Sequence, residues 1–327
     1  MQPNQAAVVY NPVKVPLERL RRAVATQEQR HRWRDSQWYE TSSVDSGRRA
    51  AEDAVAGCPA VVIVAGGDGT VRTVAEVVHE RRLPLALLPA GTGNLLARNL
   101  GLPLNDVEGA VAAAFRGATR AIDVAVADLE DARGRRSTHV FLVMAGIGLD
   151  AEMAANTSAL AKKHLGWLAY VAPIARSIIT NRLFHLDYRI DNGRIRSARA
   201  HTVIVGNCGT LTGNMLLIPA AKVDDGLLDV VMLRPKGRSG WAGIGTRLTI
   251  QGIAHRSRFG RSMLRLAPDL RALVYAQGHR FDVRFETPHD VELDGDSLGA
   301  VVRATITVRP GALRVCIDGD ELPASTR

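Results

Sequence analysis

Short apolar segments alternate with amphipathic stretches over the first third of the chain. We predict strands at residues 6–10, 37–40, 60–65 and 85–88 and helices at 16–29, 47–56, 70–80 and 107–116. The segment 60–65 is continuously apolar, as in strands that are covered on both faces. This alternation of strands and helices predicts a parallel sheet.

From about residue 123 the pattern becomes rich in β-structure. We predict strands at residues 124–128, 140–144, 185–190, 200–205, 228–233, 273–276, 281–285 and 304–308, with helices at 159–180 and 240–251. Consecutive strands without helices predict an antiparallel, sandwich-like domain. We therefore expect an α/β fold class with one domain at 1–122, joined by the tail 309–327, and a β-rich domain at 123–308. The pattern alone leaves open where the tail from residue 305 packs.

Composition excludes several classes of protein. Of 327 residues, 46% are hydrophobic and 23% charged, which is typical of a globular chain and unlike disordered or collagen sequences. The longest uncharged apolar stretch, residues 165–175, is shorter than the roughly 18 to 20 residues that span a bilayer. The first residues lack a signal-peptide pattern, so we expect a cytoplasmic protein.

The charge balance favours anionic partners. There are 42 Lys and Arg against 33 Asp and Glu, a formal net charge of +9, and no nucleic-acid-binding motif accompanies them, so nucleic acid is not an expected partner. Cys58, Cys208 and Cys316 lie far apart and form no CxxC pair, which excludes a disulfide framework or zinc site. We expect three buried thiols.

A glycine-rich loop, Gly66-Gly67-Asp68-Gly69-Thr70, follows the buried strand and precedes a helix. Glycines there let backbone N–H groups approach a phosphate at a helix N-terminus. A carboxylate beside phosphate suggests a bridging cation, so the loop indicates a nucleotide with Mg²⁺. The alternative is a strand-to-helix turn in which Asp68 is only a cap.

A second loop, Pro89-Ala90-Gly91-Thr92-Gly93-Asn94, follows the next strand. The carboxyl ends of parallel strands share one edge of a sheet, so both loops should form one site. Neither loop matches GxxxxGK[ST] or GxGxxG, which disfavours a P-loop and a Rossmann NAD site.

Taken together, these residues resemble the diacylglycerol kinase catalytic-domain superfamily, and in particular its bacterial soluble lipid kinases. The matching segments, which extend over nearly the whole chain, are Asn11-Pro12, GGDGT at 66–70, PAGTGN at 89–94 with Ala97-Arg98, Gly206-Asn207, Gly213-Asn214-Met215, PAAKVDDGLLD at 219–229 and VELDGD at 291–296. GGDGT is shared with NAD kinases, whereas the combination with DDGLLD is more specific.

The resemblance implies ATP-dependent phosphorylation of the hydroxyl of diacylglycerol or a related lipid alcohol, giving a phosphatidic-acid-type product. It implies an NAD-kinase-like or phosphofructokinase-like first domain that binds ATP, a β-rich second domain that binds lipid, an active site in the cleft between them, and a homodimer. The implied ATP-binding residues are Asn11, Thr41, Gly66, Gly67, Asp68, Gly69, Thr70, Val71, Arg72, Gly91, Thr92 and Asn94.

The resemblance also implies the catalytic and metal-binding residues. Asp68 would belong to an acidic network around the metal, and Lys222, Asp225 and Leu227 would supply hard oxygen ligands for Mg²⁺. The alternative for that segment is an ordinary Asp-Gly turn. Asp296 would act as the general base that takes the proton from the lipid hydroxyl.

The chain departs from the family pattern at two of these positions. The family usually has Glu where this chain has Asp296, and many relatives carry an acidic residue where it has Leu95. Asp123 stands where relatives place an acid of the metal network, although Asp is also common at strand edges. We expect the second DGD, Asp318-Gly319-Asp320, to be a solvated turn.

The predicted helix 159–180 combines Lys162 and Lys163 with Trp167 and Tyr170. Such a helix can rest at a membrane interface, or it can pack on the β-domain. We expect a cytoplasmic lipid kinase that visits the inner face of the membrane. The alternatives are a soluble-substrate kinase similar to NAD kinases and a non-catalytic relative that binds nucleotide or lipid.

Overall fold

The computed structural model describes residues 4–148, 183–211, 215–216, 218, 221–234 and 273–318. The predicted helices at 159–180 and 240–251, and the Gly319-Asp320 part of the second DGD, lie outside these residues. The chain divides into two compact units. The first contains Met1–Val124, Val223–Asp225 and Arg309–Arg327, and the second contains Ala125–Lys222 and Gly226–Val308.

The first unit is an α/β structure. Its elements, in chain order, are β1 Gln5–Tyr10, α1 Leu17–His31, β2 Arg34–Glu40, α2 Arg48–Ala56, β3 Val61–Gly66, α3 Asp68–Val78, a 3-10 turn His79–Arg81, β4 Pro84–Pro89, α4 Leu95–Asn99, α5 Val107–Arg116 and the start of β5 Thr119–Glu130. The end of the last strand, β16 Asp296–Cys316, also belongs to this unit. Helix α3 begins and ends two residues earlier than predicted.

All strand pairs of this first sheet are parallel, in the order β16, β4, β3, β1, β2. Every residue of β3 is buried, as the apolar run predicted. In α1, Leu20 and Val24 are buried one turn apart and pack toward the sheet. Because the strands are parallel, β1 to β4 all end at one edge of the sheet.

The second unit is antiparallel and β-rich. Its further strands are β6 Arg136–Phe141, β7 Met144–Ile147, β8 Phe184–Ile190, β9 Arg196–Ala200, β10 Thr202–Gly206, β11 Thr210–Leu211, β12 Met215–Leu216, β13 Leu228–Leu233, β14 Leu273–Gly278 and β15 Arg280–Leu293. They pair in the order β14, β13, β10, β7, β15, β16, with β8 also paired to β15 and β9, and β5 to β16 and β6. Phe141, Phe281 and Met232 lie in its buried core.

Two strands are much longer than predicted. β15 continues beyond the expected end at residue 285, and β16 extends on both sides of the expected segment 304–308. Pro288, Gly299 and Pro310 interrupt the strand pattern in the sequence, but cross-strand pairing carries the strands past them. The predicted fold class, an α/β domain followed by a β-rich domain, is confirmed.

The cysteine prediction was wrong for one residue. Cys208 and Cys316 are buried, whereas Cys58 is exposed. Cys58 follows Gly57 at the end of α2 and has a positive φ of 49°, so it lies in the turn that leaves the helix. Burial raises the pKa of the Cys316 thiol to about 12, which keeps it protonated and unreactive. Within the described residues, no helix has the length and apolar character needed to cross a bilayer.

Candidate functional site

The loops that follow β1, β2, β3 and β4 meet at the carboxyl edge of the parallel sheet. Backbone hydrogen bonds continue the ladder past the strand ends: Asn11 N–H donates to Ala65 O at 2.9 Å and Ala90 N–H donates to Gly66 O at 2.8 Å. Thr41, after β2, is buried. This edge therefore brings Asn11, Thr41 and both predicted glycine loops to one side of the sheet, where ligands of open α/β sheets bind.

Asp68 joins the two glycine loops. It lies in the first turn of α3, and its carboxylate accepts two backbone N–H bonds from the other loop. Oδ2 accepts from Asn94 N at 2.8 Å and Oδ1 from Leu95 N at 2.5 Å. These N–H groups stand at the start of α4, where no intrahelical acceptor is available. Asp68 therefore caps the helix of the neighbouring loop.

Burial raises the pKa of the Asp68 carboxyl above its ordinary value. The N–H groups of Leu95 and Asn94 oppose this shift because they favour the ionised form, and so does the positive charge of Lys14. Two opposing effects therefore act on the pKa of Asp68, because burial favours the neutral acid and the hydrogen bonds favour the carboxylate.

The side chain of Asn94 closes the second loop on itself. Asn94 has a left-handed φ of 49°, its Oδ1 accepts from Gly91 N at 2.8 Å, and its Nδ2 donates to Gly91 O at 2.9 Å. A Cβ atom added at Gly91 would lie 2.7 Å from the Gly67 Cα, and one added at Gly93 would lie 2.5 Å from the Asp68 Oδ2. Glycine is therefore required at these two positions because the loops pack directly on each other.

Lys14 is a site residue that sequence reasoning missed. The Asn11 Oδ1 accepts from Val13 N at 3.1 Å, and Lys14 N donates to Asn11 O at 3.2 Å, so the chain turns back after β1. The turn places the Lys14 Nζ 3.1 Å from the position that a Cβ of Gly67 would occupy. An ammonium group over a glycine loop at a helix N-terminus suits an anionic ligand. A sequence feature that could have identified Lys14 is its place three residues after Asn11, in a chain whose basic residues are nearly all arginine.

The remaining predicted nucleotide residues differ in exposure. Thr92 is exposed on the second loop, whereas Thr70, Val71 and Arg72 are buried within α3. The Arg72 guanidinium forms an ion pair with Glu76 at 3.7 Å, so its charge is already balanced in the first unit. A direct contact between these buried residues and ATP remains a prediction.

Asp123 holds structure together in the first unit. It is 2% exposed, its Oδ1 accepts from Gly311 N at 2.8 Å, and its N–H donates to Val223 O at 2.8 Å. It thereby links β5 to Val223 and Gly311, which belong to the two later segments of this unit. Next to it, Arg120 forms an ion pair with Asp224 at 2.6 Å.

The predicted metal ligands lie in the adjoining turn. The side chains of Lys222 and Asp225 are exposed, and Gly226 has a positive φ of 74°. One carboxylate and two peptide oxygens are a donor set that suits Mg²⁺ chemically. In the part of the chain that the structure describes, no group of three or more His, Cys, Asp or Glu side chains is arranged around a metal position. Binding of Mg²⁺ by Lys222, Asp225 and Leu227 remains a prediction.

The first DGD motif is a tight hairpin turn in the second unit. Leu293 and Asp296 pair across β15 and β16, and the two residues between them, Asp294 and Gly295, have positive φ values of 49° and 91°. Asp-Gly is the typical sequence of such a two-residue turn. The turn leaves Asp296, the predicted base, partly exposed as the first residue of β16.

Asp294 positions this turn and was also missed by sequence reasoning. It is 7% exposed, and its carboxylate accepts three backbone N–H bonds: Leu142 N at 2.8 Å, and Val143 N and Met144 N at 2.9 Å each. The neighbouring Asn207 donates its N–H to Val143 O at 2.8 Å. The segment before β7 is therefore fastened to the turn that carries Asp296.

Comparisons with known proteins agree with this arrangement. The chain matches the family model of the diacylglycerol kinase catalytic domain over residues 5–127, and that of the YegS C-terminal NAD kinase beta sandwich-like domain over residues 142–245. The second match agrees with the predicted sandwich-like character of the β-rich domain.

Similar proteins carry kinase names. A "Probable lipid kinase YegS-like" protein of Pseudomonas aeruginosa is 32% identical, over 96% of this chain and 95% of that protein. A "Diacylglycerol kinase" of Mycobacterium tuberculosis is 30% identical over 54% of this chain and 56% of that protein. The crystal structure of a diacylglycerol kinase from Bacillus anthracis str. Sterne shares the fold, with a TM-score of 0.71 at 24% identity over 98% of this chain and 99% of that one. The predicted resemblance is thus confirmed, and the chain belongs to the diacylglycerol kinase catalytic-domain family.

Proposed function

We propose that this chain is an ATP-dependent lipid kinase, which transfers the γ-phosphate of ATP to the hydroxyl of diacylglycerol or a related lipid alcohol. The observation that supports this most is the pair of glycine loops bridged by Asp68 at the carboxyl edge of the parallel sheet. Family membership supports a phosphotransferase, and the names of the relatives favour a lipid acceptor. The product would be of the phosphatidic-acid type.

In this proposal the first unit holds the phosphates of ATP. Backbone N–H groups of the loop 66–69, at the N-terminus of α3, face a negative ligand with the positive end of the helix dipole. The Lys14 ammonium adds a full charge beside Gly67, and the exposed Thr92 offers a hydroxyl. Mg²⁺, when bound through Lys222, Asp225 and Leu227, would neutralise phosphate charge.

Asp296 acts as the general base on the lipid hydroxyl. Its carboxylate takes the proton as the hydroxyl oxygen forms a bond to the γ-phosphorus and the bond from that phosphorus to the bridging oxygen of ADP breaks. Phosphoryl transfer depends mainly on positioning and on stabilising charge. Asp294 fixes the turn through three backbone hydrogen bonds and so positions Asp296, whose side chain is one methylene shorter than Glu.

A lipid acceptor requires the enzyme to meet the membrane. We propose a cytoplasmic protein that binds transiently to the inner face of the membrane, with the homodimer expected from relatives as its assembly.

The direct test is incubation of the purified protein with γ-labelled ATP, Mg²⁺ and mixed micelles of lipid alcohols, followed by separation of the organic phase. We expect label in one lipid species, which would identify the acceptor. Label confined to the aqueous phase would instead indicate a soluble-substrate kinase similar to NAD kinase. ATP binding without transfer to any lipid would indicate a non-catalytic relative.

Replacement of the proposed base should separate chemistry from nucleotide binding. For Asp296→Asn we expect kcat to fall about 10²- to 10⁴-fold, the range for losing a general base, with an unchanged Kd for ATP. Asp318→Asn is the matched control, because Asp318 begins the second DGD and pairs with Arg116 on the surface at 2.5 Å. Unchanged turnover in Asp296→Asn, or an equal loss in Asp318→Asn, would show that Asp296 is not the base.

The pH dependence of ATP binding should report on Asp68. Because burial raises the pKa of this carboxyl, Asp68 should become protonated at a higher pH than an ordinary aspartic acid does. Protonation weakens its bonds to the Asn94 and Leu95 N–H groups, so the affinity for ATP should fall on the acidic side.

Titration of ATP binding between about pH 4 and pH 7 would test this expectation, with Asp68→Asn as the comparison because ATP itself also titrates in that range. The Asn variant should bind ATP more weakly and should lack the acidic decline that the wild type shows beyond the titration of ATP. Parallel curves for the two proteins would contradict the role given to Asp68.

A further inference from the structure

An open groove of about 720 Å³ lies on the second unit. It runs over the outward-facing residues of β15 and β16, since Phe281, Val283 and Ile306 on the same strands point into the core. The polar groove residues from these strands alternate with the buried ones and are Arg280, Asp282, Arg284, Arg303, Thr305 and Thr307, and Val283 also lines the groove. Strands β5, β6 and β8 supply the other walls.

The carboxylates of this groove are already engaged. Asp282 accepts hydrogen bonds from Arg189 at 2.9 Å, Arg280 at 2.8 Å and Thr305 at 2.8 Å. Burial opposes ionisation of Asp282, but these donors lower its pKa to about 2, so it stays charged at neutral pH. Elsewhere in the groove, Glu130 pairs with Arg136 at 3.1 Å.

The two other acids bond to hydroxyl groups. Asp128 accepts from Thr138 at 2.6 Å, and Asp187 accepts from Ser197 at 2.6 Å. Of the five arginines that line the groove, three form ion pairs with Asp282 or Glu130, and the other two form none within the described residues.

Those two arginines stand directly opposite each other. Arg284 on β15 and Arg303 on β16 are register partners, both are exposed, and neither side chain makes an ion pair or hydrogen bond within the residues that the structure describes. The Cβ atoms of such partners are about 4.5 to 5.5 Å apart, and like charges in this position destabilise a sheet. On its other side Arg284 lies opposite Asp187 of β8, whose carboxylate bonds to Ser197 and forms no ion pair with Arg284.

The backbone changes immediately beyond this pair. The register passes from Arg284 opposite Arg303 to His289 opposite Val301, so β15 carries extra residues in a bulge. Bulges bend a strand and re-aim the side chains next to them, and they are frequent beside functional sites. The same face thus combines a groove, two facing arginines that form no ion pair within the described residues, and a local irregularity beside them.

We propose that this groove binds a phosphate-bearing anion through Arg284 and Arg303. A guanidinium presents a planar fork of donors that matches phosphate oxygens, and a ligand with two negative charges would cancel the repulsion between the two arginines. Thr307 adds a hydroxyl to the groove. The ligand is either a free phosphate compound or the headgroup of an anionic phospholipid, which share this chemistry. The site is separate from the glycine loops and does not depend on the proposed lipid-kinase activity.

The test compares Arg284→Gln/Arg303→Gln with a control of equal charge, Arg30→Gln/Arg133→Gln. Arg30 and Arg133 are exposed and lie outside the groove. The full chain is first saturated with a non-hydrolysable ATP analogue, so that the glycine loops are occupied. Inorganic phosphate is then titrated by calorimetry, and sedimentation is measured with vesicles of phosphatidylglycerol and phosphatidylcholine and with vesicles of phosphatidylcholine alone.

We expect the groove variant to lose about tenfold or more in affinity, as when two charge-assisted donors are removed, while the control keeps its affinity. Loss confined to phosphate would identify a soluble ligand, and loss confined to phosphatidylglycerol vesicles would identify a lipid headgroup. Equal losses in both variants, or no loss in the groove variant, would overturn the proposal, because binding would then follow overall charge or another site.

Folding of the groove variant can be checked independently. Removal of the two facing cations relieves their mutual repulsion and should leave the Tm unchanged or raise it, so a correctly folded variant is expected. The Arg284→Lys/Arg303→Lys variant keeps the charge but lacks the planar fork, and it should bind phosphate with intermediate affinity. If the Lys variant binds phosphate as weakly as the Gln variant, the anion still binds at this pair and requires the planar fork. If the Gln variant keeps the wild-type affinity, the anion binds elsewhere and the proposal is wrong.

Discussion

The hydrogen bonds from Asn94 and Leu95 to the carboxylate of Asp68 are the constraint on which the proposed nucleotide site depends. Two loops that follow neighbouring strands would otherwise be separate turns at the edge of a parallel sheet. One partly buried carboxylate satisfies the first N–H groups of α4 and is itself part of α3, so it joins the two loops directly. The close packing of Gly91 on Gly67 follows from this tie, and so does the exclusion of any larger side chain.

Two buried aspartates, Asp294 and Asp123, also accept backbone N–H bonds. Asp294 accepts three backbone N–H bonds where β7 begins, and Asp123 accepts one from Gly311 where β16 returns to the first unit. Burying a carboxylate is costly unless hydrogen bonds replace its hydration, and backbone N–H groups without other acceptors supply them. Each of these aspartates therefore fixes backbone geometry.

The sequence predicted the parts of the fold that follow from local pattern. The apolar run of β3, the helix α5 and the change to antiparallel strands were readable because burial sets their periodicity. The family also followed from the sequence, since the spacing of several motifs in one chain is specific. The lengths of β15 and β16 did not follow, because pairing with distant strands carries them through Pro288 and Pro310.

The site was predictable as a set of loops but not as a set of contacts. Asp68 was expected among the metal-linked acids, whereas in the structure both of its oxygens accept backbone N–H bonds. Lys14 and Asp294 went unrecognised because their roles depend on what the fold brings beside them. Lys14 can be assigned to the site only once the turn after β1 is known to place it beside Gly67. Asp294 can be assigned a structural role only once the fold is known to bring the N–H groups of residues 142–144 to its carboxylate. Such roles lie in tertiary structure, which no local pattern records.

The most direct test of this account is the hydrogen exchange of the Asn94 and Leu95 amides, measured with and without ATP in the wild type and in Asp68→Asn. If the carboxylate of Asp68 holds the two loops together, both amides should exchange slowly in the wild type and more slowly still with ATP, and they should exchange much faster in the variant. Equal exchange in the two proteins, unaffected by ATP, would contradict the claim that this bridge builds the nucleotide site.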